Sequence, residues 1–463
     1  MVLDYPRIFR LLESLPIELI AEIFRHAITA WSPNTIPNAL AEIEHEFTAL
    51  HLGAVCRSWR ALVWHTPTLW SGVRVCATPK QIATQVVLLD EWLSRSGSLP
   101  LDITLCSPDN VDWLKAGDHS KLQSLIMTTN RYASRWRSLV LQIPGYSCGA
   151  LPKPHVQLPF LERLRIDPMD NGPNDRFSLQ GATALRRLDL NLRSVYLATI
   201  DIPLSNITHL NLDYCILAEF LFLLPHCPLL TDIVVENLRP DVGISVHSLF
   251  DIPELPLVLL SVQALTLRNP HSLEVNSLLA SIVTPELKEF TYDGLLPPRD
   301  LTPFCAFLSR CPTLQEFSLF DRERSPRRIV QILEELKTIK TFKLDVSNRD
   351  ENLPLNDQLL NMLHPSPGAQ YLLPKLENFT FIGGLGFTWP RFIAAWKARI
   401  NVKGFGEAEW TSWKFTIISN DKNPLADESF MEELKSLQCE ADGRLKLSFR
   451  TPAEAKMQNV ILL

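Results

Sequence analysis

The sequence predicts an α/β protein, built as a small helical unit followed by a solenoid of parallel strands joined by helices and turns. Three observations carry this. An apolar-x-x-apolar-x-apolar template recurs ten times between Trp136 and Phe381, at steps of about 22 to 37 residues. A shared phrase, Leu224-Pro225-His226-Cys227-Pro228-Leu229-Leu230 and Leu308-Ser309-Arg310-Cys311-Pro312-Thr313-Leu314, twice follows an apolar helical run and leads into the template. The first ~70 residues lack the template and show helical periodicity instead. Proline is plentiful (34) and glycine scarce (17), which fits many short elements ended by proline.

The N-terminal helices come first. Ser14 to Ile28 reads as an amphipathic helix in which Leu15, Leu19, Ile23 and Ala27 recur every four positions, with Ile20 and Phe24 beside them. Ser14 can cap it, Pro16 suits its first turn, and Glu18 favours the positive end of its dipole. Trp31 to Pro37 break the pattern with two prolines. A second helix is expected from Glu42 or Ala49 to Val63, with Leu52, Val55, Cys56, Trp59, Leu62 and Val63 on one face. Thr66-Pro67 stops it. By periodicity these apolar residues read as core. A unit this small needs a partner, or the rest of the chain, to cover its apolar face.

Leu15-Pro16-x-Glu18-Leu19-x-x-x-Ile23-Phe24, then Val55-Cys56-Arg57-x-Trp59-Arg60-x-Leu62 and Pro67-x-Leu69-Trp70, closely resembles the F-box. The resemblance covers roughly residues 11–72 and is strongest to F-boxes of mushroom-forming fungi. An insert near 31–46 makes the interval between the two halves longer than in the compact motif. The resemblance implies docking onto a Skp-type adaptor, and through it a cullin–RING ubiquitin ligase. Leu15, Pro16, Leu19, Ile23, Val55, Trp59 and Leu62 occupy the positions it implies form or support that interface.

Residues 73–130 read as a junction or N-terminal cap of the solenoid. Gln81 to Ser94 is helical, and Leu101, Ile103 and Leu105 alternate as a strand. Residues 131–385 carry the template, which resembles the irregular leucine-rich repeats appended to F-boxes. One strand–helix unit cannot bury its own apolar face, so stacked neighbours bury a continuous ladder. Residues 386–463 drift from the template and read as degraded repeats or a C-terminal cap. Phe392–Arg399 and Asp427–Leu437 are expected helical, Trp410–Ile418 and Leu445/Leu447/Phe449 strand-like.

The net charge of −6 gives no general attraction to nucleic acid or anionic membrane. Nine cysteines without a Cys-x-x-Cys pair fit a reducing compartment, cytoplasmic or nuclear. The longest apolar runs, around Ile216–Leu224 and Leu255–Leu267, are too short to span a bilayer. No P-loop, G-x-S-x-G or H-E-x-x-H occurs, so neither an enzyme, a cofactor nor a metal is expected. Gly383-Gly384-Leu385-Gly386 lacks Rossmann spacing and the Walker lysine, and reads as a turn. Asp167–Asp175 contains prolines and no closing glutamate, unlike a calcium loop.

If the template residues point inward, the alternate strand positions face outward. They include Arg163, Arg165, Arg187, Asp189, His209 and Asn211, then Asp232, Glu289, Glu316 and Lys343. Arg163, Arg165, Arg187 and His209 are expected to form a more basic patch beside an acidic rim of Asp213, Glu236 and Asp293, together contacting a target protein. The other explanation of the rim is that Asp simply suits the turn after each strand. The rival reading of the whole chain is a leucine-rich interaction scaffold whose F-box-like helices are only an N-terminal cap.

Overall fold

The computed structural model describes residues 15–28, 48–108, 113, 119–168, 176–193, 197–240, 255–298, 300–321, 326–346, 355–363, 372–384, 386–401, 412–418, 432 and 445–451. The chain divides into two compact units, residues 1–207 and 208–463.

The first unit opens with helices α1 (Ile17–Ile28), α2 (Ala49–Val55) and α3 (Arg57–Trp64), then a 3₁₀ turn at Pro67–Trp70. Pro16 precedes the first helix instead of lying in its first turn, and its carbonyl accepts from Leu19 and Ile20. Ser14 and the insert at 31–46 lie outside the described residues. The single second helix expected to reach Val63 is two. Cys56 is extended (φ −156°, ψ 173°), and its sulfur accepts from the Trp59 amide at 3.4 Å. A side chain that caps the following turn competes with helix continuation, which a pattern of apolar spacing does not register.

Phe24, Ala49, Leu52, Val63, Leu69 and Trp70 form the core of this helical unit, with Ile20, Ile28, Trp59 and Leu62 packed against it. Phe24 meets Trp59 at 4.6 Å between ring centroids, and the Trp70 indole donates to the Val63 carbonyl at 2.8 Å. A Cβ on Gly53 would lie 2.4 Å from the Trp64 ring, so the indole of α3 seats on bare backbone of α2.

The core continues into the strands. These are β1 (Gly72–Cys76), β2 (Leu101–Cys106), β3 (Trp136–Gln142), β4 (Arg163–Ile166), β5 (Phe177–Ser178), β6 (Arg187–Asn191) and β7 (Ile200–Asp201). β1, β2, β3, β4 and β6 run parallel in that order; β5 and β7 form a separate short pair. Helices α4 (Ile82–Arg95) and α5 (His119–Asn130) connect the first strands, as parallel pairing requires a crossover. Trp92 of α4 packs on Trp70 at 4.7 Å and donates to the Gly72 carbonyl at 3.1 Å. The Arg95 guanidinium lies over the Trp64 and Trp70 rings at 4.7 and 5.0 Å. Helices and sheet therefore share one core at this end.

The second unit contains β8 (His209–Asp213), β9 (Asp232–Glu236), β10 (Leu257–Val258), β11 (Ala264–Arg268), β12 (Ile282–Val283), β13 (Glu289–Gly294), β14 (Glu316–Asp321), β15 (Thr341–Asp345), β16 (Asn378–Gly383), β17 (Ser412–Ile418) and β18 (Leu445–Arg450). β8, β9, β11, β13, β14, β15, β16, β17 and β18 form one parallel array in that order, with β10 and β12 paired apart. Between them lie α6 (Leu217–Leu223), α7 (Ser272–Ser281), α8 (Thr302–Ser309), α9 (Pro326–Glu335), α10 (Asp357–Leu363) and α11 (Trp389–Asn401). The stretch beyond residue 386 thus continues the same sheet; the helix expected at Asp427–Leu437 lies almost wholly outside the described residues.

The register aligns the template. Leu139, Leu164 and Leu188 share one buried row in the first unit. Leu210, Ile233, Leu265, Phe290, Phe317, Phe342 and Phe379 share one in the second. Its aromatic end is a stack: Phe290–Phe317 at 5.6 Å, Phe317–Phe342 at 5.9 Å and Phe342–Phe379 at 5.6 Å. Helix α8 closes over it, Phe307 meeting Phe290 edge-on at 5.5 Å. The cysteines of the repeated phrase, Cys227 and Cys311, are buried at the ends of the helical segments they follow. No described helix is long and apolar enough to cross a membrane.

Candidate functional site

Two surfaces hold the residues selected from the sequence. The first is on the helices. The apolar arc of α1 is wider than its buried face, which Ile20, Phe24 and Ile28 fill. Leu19 and Ile23 are left 52% and 43% exposed, with Ile17 at 60%; Val55 and Leu50 of α2 are 46% and 49% exposed. Pro16 is exposed as well, whereas Leu15, Trp59 and Leu62 are half-buried. The seven motif residues thus sort into an outward group (Pro16, Leu19, Ile23, Val55) and a group partly withdrawn from solvent (Leu15, Trp59, Leu62). Ile17 and Leu50 were missed, because position in the first turn, more than angular position, exposes them. On the polar side of α1, the hydrogen bond from Arg25 holds the Glu22 carboxyl below its ordinary value.

The second surface is the face of the sheet opposite the core. In the first unit Arg163 stands beside Arg187, and Arg165 beside Asp189. Most of this basic group is neutralised in place: Arg165 pairs with Asp167 at 3.2 Å, Arg187 with Asp189 at 3.2 Å, and Arg137 with Asp102. Asp167 also accepts from Asn191 at 2.9 Å and Gln142 at 3.3 Å, so it ties three strand ends together.

In the second unit three rows of side chains run across β8, β9, β11, β13 and β14. His209, Asp232, Ala264, Glu289 and Glu316 make the first; Asn211, Val234, Thr266, Thr291 and Ser318 the middle; Asp213, Glu236, Arg268, Asp293 and Phe320 the third. His209 approaches Asp232 at 3.4 Å, Arg268 pairs with Glu236 at 2.8 Å, and Asp213 accepts from Asn237 at 2.8 Å. Tyr214, Asn237 and Asn269 are left-handed, each one place beyond its strand. Asp213 and Glu236 precede them as strand residues in register, and Asp213 also accepts from the side chain of the left-handed Asn237, so it serves the adjoining turn as well as the face. Glu289 and Glu316, expected to face outward, do so, and the hydroxyls of Thr266, Thr291 and Ser318, not selected from the sequence, belong to the same face. Strict strand alternation was the signal for them.

Neither a family model nor a curated protein matches the chain. Its chemistry must be read from its own residues. Burial pushes the Cys227 thiol up to about 12 and the Cys305 thiol up to about 11. Thiols so raised are protonated at neutral pH, the opposite of what a nucleophile or metal ligand needs. Among the described residues no group of three His, Cys, Asp or Glu side chains could hold a metal ion. Both surfaces are extended, and what they offer is contact: an apolar one on helices, a charged and hydroxylated one on strands.

Proposed function

We propose that the chain is the target-recognition subunit of an SCF-type E3 ubiquitin ligase. Its helical unit is an F-box that binds a Skp-type adaptor and, through it, a cullin–RING ligase. Its sheet-and-helix array is a leucine-rich-repeat solenoid that holds a target protein. The observation that carries the reading is the outward apolar set Leu19, Ile23 and Val55, on helices whose own core is already filled by Phe24, Leu52, Val63 and Trp70. Large apolar side chains left in water on a small helical unit mark an association surface. The F-box pattern in the sequence names the partner.

The mechanism is proximity. The chain supplies no reacting group; it raises the effective concentration of target lysines near the ubiquitin-loaded enzyme by holding both on one body. This work belongs in the cytoplasm or nucleus.

The deciding experiment is co-purification of the full chain with a Skp-type adaptor. Leu19→Glu with Ile23→Glu abolishes capture while leaving the thermal midpoint unchanged, because both side chains are exposed. If the intact chain fails to bind the adaptor, the ligase reading falls. The packing of Trp92 on Trp70 favours a second reading, a scaffold in which the helices only cap the sheet. On that reading the same pair of substitutions has no functional effect, and only core changes such as Trp70→Ala matter.

A further inference from the structure

We propose that the outer sheet face of the second unit binds an extended lysine- and arginine-rich segment of a target protein. This deepens the receptor reading and rests on it for the segment's role as target; the binding itself needs no adaptor.

The three register rows define the site. Across β8, β9, β11, β13 and β14 they carry six acids, Asp213, Asp232, Glu236, Glu289, Asp293 and Glu316, against Arg268 and the imidazole of His209, which approaches Asp232. That arginine is engaged by Glu236. Glu289 and Glu316 stand side by side in register on adjacent strands, both exposed, and among the described residues neither has a basic partner. Like charges directly opposite on neighbouring strands destabilise a sheet, and here the stacked Phe290 and Phe317 on the inner face hold the two strands together regardless. A cation between the two acids relieves the repulsion.

The rows are also arranged to hold a chain. The two acidic rows flank a middle row of short side chains, Asn211, Val234, Thr266, Thr291 and Ser318, which leave room for a backbone and, Val234 apart, offer it donors and acceptors. Residues four apart along a strand put the acidic rows about 13 Å from each other, and five strands span about 19 Å. An extended segment of about six residues crosses that distance. Its side chains alternate, so lysines and arginines reach both acidic rows while the backbone lies over the hydroxyls.

The far end of the same sheet sets the boundary. The middle row continues through Lys343, Thr380, Lys414 and Lys446. Lys343 lies 4.4 Å from the Phe320 ring and 3.9 Å from Asp345. This basic end repels a cationic segment and confines it to the strands from β8 to β14. Nucleic acid and acidic peptides meet the opposite field over the same strands.

The test uses the full chain and a fluorescein-labelled ten-residue peptide with six consecutive Lys and Arg residues flanked by Ser, so that basic side chains fall on both sides of the extended backbone. The control peptide replaces every basic residue by Glu. Anisotropy titrations are run from low to physiological salt. The expected result is saturable binding of the basic peptide alone, weakening as salt rises. Glu289→Lys with Glu316→Lys lowers the affinity at least tenfold with an unchanged thermal midpoint. An off-face pair with the same charge change, Glu286→Lys with Glu334→Lys, lowers it less than threefold. Equal losses from both pairs, no loss from the first, or no preference for the basic peptide each overturn the proposal. Because adaptor co-purification is a separate readout, the chain can fail one experiment and pass the other.

Discussion

Gly53 faces the Trp64 ring where two short helices meet, and any larger residue there must displace that ring. The nearest ring carbon would lie 2.4 Å from a methyl at this position, well inside van der Waals contact. Gly53→Ala therefore displaces the Trp64 ring from its seat against Trp70 and Arg95 and costs about 1–3 kcal/mol, despite alanine's better helix propensity. The expected result is a lower urea midpoint with an unchanged slope; an unchanged or higher midpoint refutes it. Leu19 makes the opposite case. It is half in water, so Leu19→Ala changes stability by no more than about 0.5 kcal/mol in the same titration. A loss of several kcal/mol would mean that the side chain is core after all. These two residues also mark what a sequence can reveal at this scale. Leu19, Ile23, Phe24 and Ile20 are all legible as apolar positions of one helix. Which of them turns outward depends on the placement of Trp59 and Trp70, far along the chain, and periodicity carries no information about that.

Among elements, strands were more legible than helices. Each template copy fell on a strand with its two inner residues buried, from Leu139/Leu141 to Phe379/Phe381, because period two is a strict geometric signature. The break at Cys56 was not, since apolar residues at helical spacing lie on both sides of it. The acidic face was half legible: alternation identified Glu289 and Glu316 as outward, but only the register places them side by side. Register also creates the phenylalanine stack, in which Phe317, Phe342 and Phe379 lie nearly coplanar in orientation, with interplanar angles of 9° and 3°. Each such pair contributes about 0.5–1.5 kcal/mol beyond burial. Phe342→Leu removes two of them and is expected to destabilise by about 1–3 kcal/mol. In a double-mutant cycle with Phe317→Leu the losses are non-additive, whereas the distant Leu164→Ala adds independently. Additivity at Phe317 would show that the rings touch without coupling.

At the scale of the whole molecule, stability acquires an alkaline limit from its cysteines. Burial raises the Cys227 and Cys305 thiols above the ordinary value of 9.0, to about 12 and about 11. Below pH 9 both the folded and the unfolded chain hold these protons, so the thiols contribute no pH dependence. Above it the unfolded chain loses them while the folded chain keeps them, and unfolding becomes easier through pH 11 to 12. Cys227→Ala is expected to flatten that part of the urea-midpoint profile; an equally steep decline would assign it to other groups.

The alternation along strands such as β8, β9 and β13 has a last consequence. Inner positions answer to packing and outer positions to solvent, and in the second unit the two sets meet only through the backbone. The chain is thus written in two independent scripts on one page. Glu289 or Thr291 can be rewritten without disturbing Phe290, and a descendant of this protein could change what it grips while inheriting its frame intact.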